Sequence, residues 1–356
     1  MPPAYNRESG VLAGFFTAGF DVAQRHEYVA TAFYGPKENR LWYSFDYLYD
    51  GLYPTVHLYA SDEDAVYTNL LRDFIDSKDY VERQKKYGLE LIVPLLKTQT
   101  QHTVTIGYQW KDLSALSEVI PLLKPWVGYQ GPVPFEGVLA SGRVSYSINN
   151  AKRYNFSISP EEGRTIELGY ERFDTSIGSD LELNKYTADW HEYINFPWPH
   201  QVLQVRAFAG TSTGRKFPQG TFQLGGDMPG DVTLSIDDQE VYLRGYPYGE
   251  FRGQNIGLLS LEYRFPLLNI EHGGGQTPFF LRRLHGAVFA EAGNVWDEGA
   301  FHESDIKRAV GAEARLDLDA VYGLLPLTLR LGVAKGLDEK GEWQLILNAW
   351  MPFGLY

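Results

Sequence analysis

The chain contains no cysteine and only three methionines in 356 residues. Without cysteine there is no disulfide framework and no thiolate metal site, a composition that fits an oxidising envelope compartment. Basic residues are in the minority. Against 45 Asp and Glu stand 32 Lys and Arg, a net charge of −13, which argues against a general nucleic-acid surface. Long apolar runs are missing too. The best stretches, 10–16 and 91–96, fall far short of the ~20 residues a spanning helix needs. The start, Met1-Pro2-Pro3-Ala4-Tyr5-Asn6-Arg7, has no apolar h-region, so either a signal peptide was removed or the sequence is a fragment of a longer chain.

Catalytic signatures are equally scarce. His26-Glu27 and His191-Glu192 lack the second histidine of HExxH. Gly210-Thr211-Ser212-Thr213-Gly214-Arg215-Lys216 is one residue short of a phosphate loop, and no Ser or Thr follows Lys216. No GxSxG elbow occurs. Gly273-Gly274-Gly275 reads as a flexible turn, and the eight histidines are scattered. The expectation is a protein that is not an enzyme and needs no metal or other cofactor.

What the sequence does have is aromatic residues, 15% of the total, and alternation. In 310–319, Val310, Ala312, Ala314, Leu316 and Leu318 face one way, and Gly311, Glu313, Arg315, Asp317 and Asp319 the other. In 103–110, Val104, Ile106, Tyr108 and Trp110 oppose Thr103, Thr105, Gly107 and Gln109. Leu327, Leu329, Leu331 and Val333 form another such face. Period-2 alternation of this kind marks β-strands with two unlike faces. In a soluble sandwich the apolar face is the core; in a membrane barrel it meets lipid and the charged face lines the lumen.

Three features favour the barrel. The strands run about 9–15 residues, near the ~9–11 that cross a membrane and above the soluble mode of ~5–6. Aromatics cluster near strand ends, as at Tyr47, Tyr49 and Tyr53, or Phe196 and Trp198, as an interfacial girdle would. Short and long links alternate. Strands are expected near 10–20, 26–35, 40–49, 53–61, 80–94, 101–112, 136–150, 164–177, 182–196, 202–213, 254–266, 282–296, 306–320, 325–336 and 342–353. A clipped first strand within 1–6 makes about sixteen, in keeping with the even counts of bacterial barrels. Long links fall at 62–79, 113–135 and 214–253; the first, with Val66, Leu70, Leu71 and Phe74, is either a solvated loop or a short amphipathic helix. The chain reads as one domain, 1–356.

The long 214–253 link carries Leu243-Arg244-Gly245-Tyr246. The strand after it has Leu259, Leu261, Tyr263 and Phe265 on one face, which puts Glu262 and Arg264 on the lumen face. On the next, Val288, Ala290 and Ala292 face lipid, so Phe289, Glu291 and Gly293 face inward. Parity thus aims two acids, Glu262 and Glu291, into one lumen from neighbouring strands. Arg206, Arg330, Glu313, Arg315, Asp317 and Asp319 are further lumen charges and read as a structural network.

The ordered set Leu224-Gly225-Gly226, Arg244-Gly245-Tyr246, Glu262-Tyr263-Arg264-Phe265-Pro266 and Phe289-x-Glu291-x-Gly293 resembles the BamA family, the bacterial surface-antigen superfamily of outer-membrane barrels. The resemblance is strongest over the last 150 or so residues. Gly178-Ser179-Asp180 and Lys185-Tyr186 match the middle of such barrels, and the first hundred residues match only in strand rhythm. The family's usual acid in the Phe-x-acid motif is Asp, here Glu291, and its usual periplasmic polypeptide-binding domains are not in this sequence; some relatives carry propellers or lipase-like domains there.

The resemblance implies an all-β transmembrane antiparallel barrel in the bacterial outer membrane, with the long extracellular loop folded into the lumen. There Arg244 would meet Glu262 and Glu291, Gly245 and Gly293 would allow close approach, and Phe289 would stack on the guanidinium or on Tyr246. The other reading of the same residues leaves Arg244 exposed and Glu262, Glu291 and Arg264 as a plain lumen network. The last strand, with Trp343, Leu345, Leu347, Trp350 and Phe353, resembles the C-terminal signal by which such barrels are recognised, and Pro352 should end its pairing. The implied function is insertion of outer-membrane proteins or polypeptide export through a weak seam between first and last strands. Lipids or lipopolysaccharide and unfolded polypeptide clients are the expected partners. A passive pore, or a barrel that anchors and displays an upstream module, is the alternative.

Overall fold

The computed structural model describes residues 4–6, 10–37, 39–72, 77–116, 133–154, 156–227, 240–275, 277–297, 299, 301–323 and 325–350. Regular structure among them is almost all strand. In chain order these are β1 (Ala4–Asn6), β2 (Gly10–Phe20), β3 (His26–Gly35), β4 (Arg40–Tyr49), β5 (Thr55–Arg72), β6 (Ser77–Leu96), β7 (Gln101–Ala115), β8 (Gly137–Asn149), β9 (Gly163–Phe173), β10 (Leu183–Asn195) and β11 (Val202–Gly214). Then come β12 (Phe222–Leu224), β13 (Glu240–Val241), β14 (Phe251–Gly253), β15 (Asn255–Gly273), β16 (Phe280–Trp296), β17 (Lys307–Ala320), β18 (Leu325–Gly336) and β19 (Trp343–Trp350). Among the described residues no helix is long and apolar enough to cross a membrane.

Sixteen strands follow one another in a single order, β1 to β11 and then β15 to β19. Each strand thus neighbours the next in sequence, apart from the step from β11 to β15 over the long loop. The twelve residues of β18 cover roughly 40 Å along the strand at ~3.4 Å each. Tilted by ~45°, that is about the ~30 Å of a hydrocarbon core.

By contact density the chain divides into two compact units. One comprises residues 1–147, 168–186 and 212–220; the other comprises 148–167, 187–211 and 221–356. Both have inverted polarity. In the second, Leu259 and Leu261 are 47% and 41% exposed, whereas Glu262 is 6% exposed. Val288, Val310, Leu329 and Leu331 are exposed likewise, and Glu291 and Glu313 are buried. In the first unit Leu89, Leu91, Ile106 and Tyr108 are exposed, and Glu82, Gln84 and Gln109 buried. A sandwich would bury the leucines and leave the glutamates wet. Strands with apolar outer faces and charged inner faces are what a lipid-facing barrel wall requires.

Three expectations are corrected. Residues 62–72 and 77–79 are strand where a loop or helix was expected: β5 runs on to Arg72 and β6 begins at Ser77, with Tyr67 opposite Tyr80. The apolar spacing that suggested a helix is interrupted by a register shift between Tyr67 and Leu71. Tyr67 and Leu70 are buried while Val66 is exposed, and Phe74 lies outside the described residues. The 267–281 link is shorter than expected, because β15 continues through Pro266 to Gly273. The ladder shifts register between Pro266 and Leu268, and a proline is tolerated at such an irregularity because its missing N–H breaks no regular bond. The 214–253 link is not structureless: β12, β13 and β14 form a small sheet in the order β13-β12-β14.

Candidate functional site

The small sheet in the loop gives the loop an apolar underside. Phe222, Leu224, Val241, Leu243 and Tyr246 are buried with Phe208 of β11, Ile256 and Leu258 of β15 and Ala309 of β17. Gly293 makes room for this docking, since a Cβ there would stand 3.1 Å from Leu224. Leu243 and Tyr246 then flank Arg244 and carry it into the wall formed by β15 to β18.

Register fixes what Arg244 meets. Glu262 lies opposite Phe289, Ser260 opposite Glu291, Ala287 opposite Glu313, and Arg315 opposite Arg330. Arg244 is 7% exposed. Its Nε donates to Glu291 (3.0 Å), Nη1 to Glu313 (2.6 Å), and both Nη1 and Nη2 to Glu262 (3.4 Å each); Nη2 also bonds Glu291. Its backbone N–H donates to Glu291 at 3.1 Å. The guanidinium face stacks on Phe289, with Cζ 3.3 Å from the ring centroid. Carboxylates in the plane and a ring on the face use an arginine in both of its modes, for which the point charge of lysine is no substitute.

The three glutamates have further partners. Glu262 accepts from Arg264 (2.6 Å) and Arg315 (2.9 Å), and Glu313 from Arg315 (2.8 Å) and Arg330 (2.7 Å). Arg330 also holds Asp227 at 2.9 Å. The cluster therefore contains four guanidiniums (244, 264, 315, 330) and four carboxylates (227, 262, 291, 313), and is electrically balanced. A buried ionic network is tolerable only when charges and hydrogen bonds are matched in this way.

Beyond Arg244 the loop reaches the last hairpin. Gly245 N–H donates to Gln344 Oε1 (2.7 Å), and its carbonyl accepts from Glu342 N–H (2.9 Å). The Tyr246 hydroxyl donates to the Arg308 carbonyl (2.7 Å) and accepts from Asp338 N–H (3.3 Å). Gly245 has φ +84°, and a Cβ there would fall 2.4 Å from Gly336 N, so only glycine permits this contact.

The structure thus brings together Arg244, Gly245, Tyr246, Glu262, Phe289, Glu291 and Gly293, with Arg244 buried among them. Phe289 stacks on the guanidinium; the Tyr246 ring packs edge-on against Phe251 instead, centroids 5.4 Å apart. The separation of a lock from a lumen network does not survive, because Glu313, Arg264, Arg315 and Arg330 belong to the same cluster as Arg244. Three other lumen charges stand apart: Arg206 pairs with Asp189 (2.8 Å), Asp317 with Arg283 and His285 (3.5 Å each), and Asp319 with Arg282 (2.7 Å). Asp227 and Gln344 were missed by the sequence reading. Asp227 follows the Leu224-Gly225-Gly226 motif directly and could have been suspected; nothing in the sequence marks Gln344. On β19, Trp343, Leu345 and Leu347 are exposed, Trp350 ends the strand, and Phe353 lies outside the described residues.

Two solved structures resemble this one. A crystal structure of BamA from Haemophilus ducreyi lacking POTRA domains 1–3 aligns with TM-score 0.60 at 14% identity, covering 96% of this chain and 68% of that one. CdiB from Escherichia coli aligns with TM-score 0.56 at 13% identity, over 95% of this chain and 62% of that one. No individual curated protein matches the chain in sequence. The Omp85 superfamily domain matches residues 16–345. With sixteen strands of inverted polarity, that match makes the chain a member of the Omp85 superfamily, an all-β antiparallel barrel of the bacterial outer membrane.

Proposed function

We propose that this barrel assists the insertion of outer-membrane proteins, or the export of a polypeptide, through an opening between its first and last strands. The observation that carries the reading is the reach of the loop. Arg244 ties it to β15, β16 and β17, while Gly245, through Gln344, and Tyr246, through the Asp338 N–H, tie it to the β18–β19 hairpin. β1, three residues long, and β19 stand at the two ends of the strand order. A displacement of β19 would therefore pull on Gln344 and Glu342, and through them on the loop. The work comes from a weak seam and loop rearrangement, with no catalytic chemistry. Clients are unfolded outer-membrane or secreted polypeptides, handled against the lipid and lipopolysaccharide around the barrel.

Because the chain has no cysteine, a pair introduced in β1 (at Tyr5) and β19 (at Leu345 or Leu347) is the only one present. Oxidation should block client insertion into liposomes or client export, and reduction should restore it. Undiminished activity in the crosslinked barrel would overturn the reading. So would a large, stable conductance in a planar bilayer that is indifferent to Arg244→Met, the behaviour of a passive pore.

A further inference from the structure

The loop between β11 and β15 begins with a segment that the Arg244 cluster does not touch. Phe217, Pro218, Gln219 and Gly220 are buried in a short 3-10 turn. Phe217 packs with Leu113, Leu139, Phe173, Leu181 and Leu183, and its ring lies 5.8 Å from that of Phe135. The turn is closed by Gly220 N–H on the Phe217 carbonyl (3.0 Å) and by the Ser212 hydroxyl on the Gly220 carbonyl (2.7 Å).

Inside this apolar setting sits a carboxylate that the Arg244 site does not use. Glu82 on β6 is fully buried. Its Oε2 accepts from Gln219 Nε2 (2.6 Å); its Oε1 accepts from Gln84 Nε2 (2.7 Å) and the Tyr67 hydroxyl (3.2 Å). None of these donors carries a charge. Gln219 spends its remaining capacity on the backbone of Phe135, donating to the carbonyl (3.0 Å) and accepting from the N–H (3.1 Å). One amide therefore joins the long β5–β6 hairpin, the segment leading into β8 and the loop. A buried carboxylate is costly unless its acceptor sites are filled, so removing Gln219 from Glu82 is unfavourable for both.

We propose that Gln219 is a second latch of the loop, an uncharged clasp on Glu82 that holds residues 217–220 independently of Arg244. The loop then opens in two steps, one for each latch, and its first turn stays docked when the Arg244 cluster lets go. The proposal deepens the reading of the loop as a moving part and rests on it only in that respect. Whether clients pass at a seam has no bearing on it.

Hydrogen exchange on the full chain in bicelles tests it, comparing wild type with Gln219→Ala, Gln219→Glu and Arg244→Met. In Gln219→Ala, exchange across 212–222 should rise at least tenfold while 240–250 keeps its protection; Arg244→Met should do the reverse. Gln219→Glu sets two carboxylates side by side, and such a pair holds together only while it shares a proton. The other titratable groups nearby are Tyr67, Tyr80 and Glu136. In this variant the 212–222 segment should be protected at pH 5 and released at pH 8, after correction for intrinsic exchange rates, and wild type should show no such swing. A filler role for Gln219 predicts no pH dependence. Exchange of 212–222 in Gln219→Ala within twofold of wild type, release of both segments by either variant, or a pH-independent Gln219→Glu would each overturn the proposal.

Discussion

Arg244→Met is the sharpest perturbation of the site, because the methionine keeps most of the stem and removes only the charge and its donors. Its cost follows from which glutamate is left alone. Glu262 retains Arg264 and Arg315, and Glu313 retains Arg315 and Arg330. Glu291 loses its cationic partner and keeps two uncharged donors among the described residues, the Ser260 hydroxyl at 3.2 Å and the backbone N–H of residue 244 at 3.1 Å. The balanced cluster of four cations and four anions becomes three against four. Breaking one partner out of a buried ion pair costs about 3–5 kcal/mol. Releasing the loop lets water reach Glu291, so this penalty falls on the docking equilibrium of the loop. At ~1.4 kcal/mol per decade, the released state gains roughly two to three and a half orders of magnitude. Hydrogen exchange reads this at the Gly226 N–H, bonded to the Tyr246 carbonyl (3.0 Å), and at the Glu342 N–H, bonded to the Gly245 carbonyl (2.9 Å). Both should lose protection by that factor while the β15–β16 ladder keeps its own. The double variant Arg244→Met/Glu291→Met restores three against three and should recover most of the docking, since apolar replacement of a buried pair is often neutral. A loss of protection below about tenfold in the single variant, or a double variant no better than the single, would refute this reasoning.

Gly245→Ala should also undock the loop tip, because its Cβ meets backbone atoms of Gly336 and Lys335 at 2.4 and 2.7 Å, which cannot swing aside. The Glu342 amide should exchange faster by at least tenfold, whereas Gly275→Ala, also at positive φ but with no atom within 4 Å of its Cβ, should leave that amide unchanged; equal effects would count against the close-approach argument. In the link between β9 and β10, Asp174 accepts from the Ser176 N–H (2.9 Å). That amide first, then the Ser176 hydroxyl and Arg172, pull its carboxyl down to about 2. A folded value below the free ~3.9 means that its support for the turn is complete above about pH 4 and is lost as pH falls toward 2. Protection of the Ser176 amide should fall over that window, and Asp174→Asn should flatten the profile; an unchanged profile in the variant would remove Asp174 as the cause.

Parity was legible in the sequence and register was not. The alternation at 259–265, 288–293 and 310–319 could be read residue by residue, and with it the faces of Glu262, Glu291 and Glu313. Which of these acids an inward arginine touches depends on how strands slide past one another, and sequence alternation is blind to shifts by two. Glu313 was accordingly placed in a separate network, although it makes the shortest of the Arg244 Nη1 bonds. The β5–β6 hairpin was missed for a related reason. A register shift at Tyr67 breaks the period of two just where Leu70 and Leu71 supply helical spacing, and the acids 62–64 make the stretch look like a solvated loop. In fact Asp62 is neutralised by Arg40 and Arg83, which reach it from the neighbouring strands β4 and β6 and lie more than twenty residues away in sequence. The β12–β14 sheet was invisible because three-residue strands carry too few positions to show any period.

The division of labour within the site follows from the same geometry. Burial of Leu243, Tyr246, Phe222 and Leu224 favours docking of the loop, but apolar contact is non-directional and would accept several neighbouring placements. Slide the tip by one residue, and Leu243 or Gly245 would stand where Arg244 now faces three carboxylates. Those carboxylates would be left buried with too few donors, at a cost the apolar contacts could not repay. Arg244 therefore contributes less to how strongly the loop docks than to where it docks, and the Phe289 ring together with the in-plane carboxylates admits one orientation of the guanidinium. That distinction bears on how such a site can move. A loop held by oil alone would drift, whereas one set by a balanced ionic cluster has discrete docked and released states, and a pull on Gln344 or Glu342 from β19 acts on the residue next to the one that decides between them.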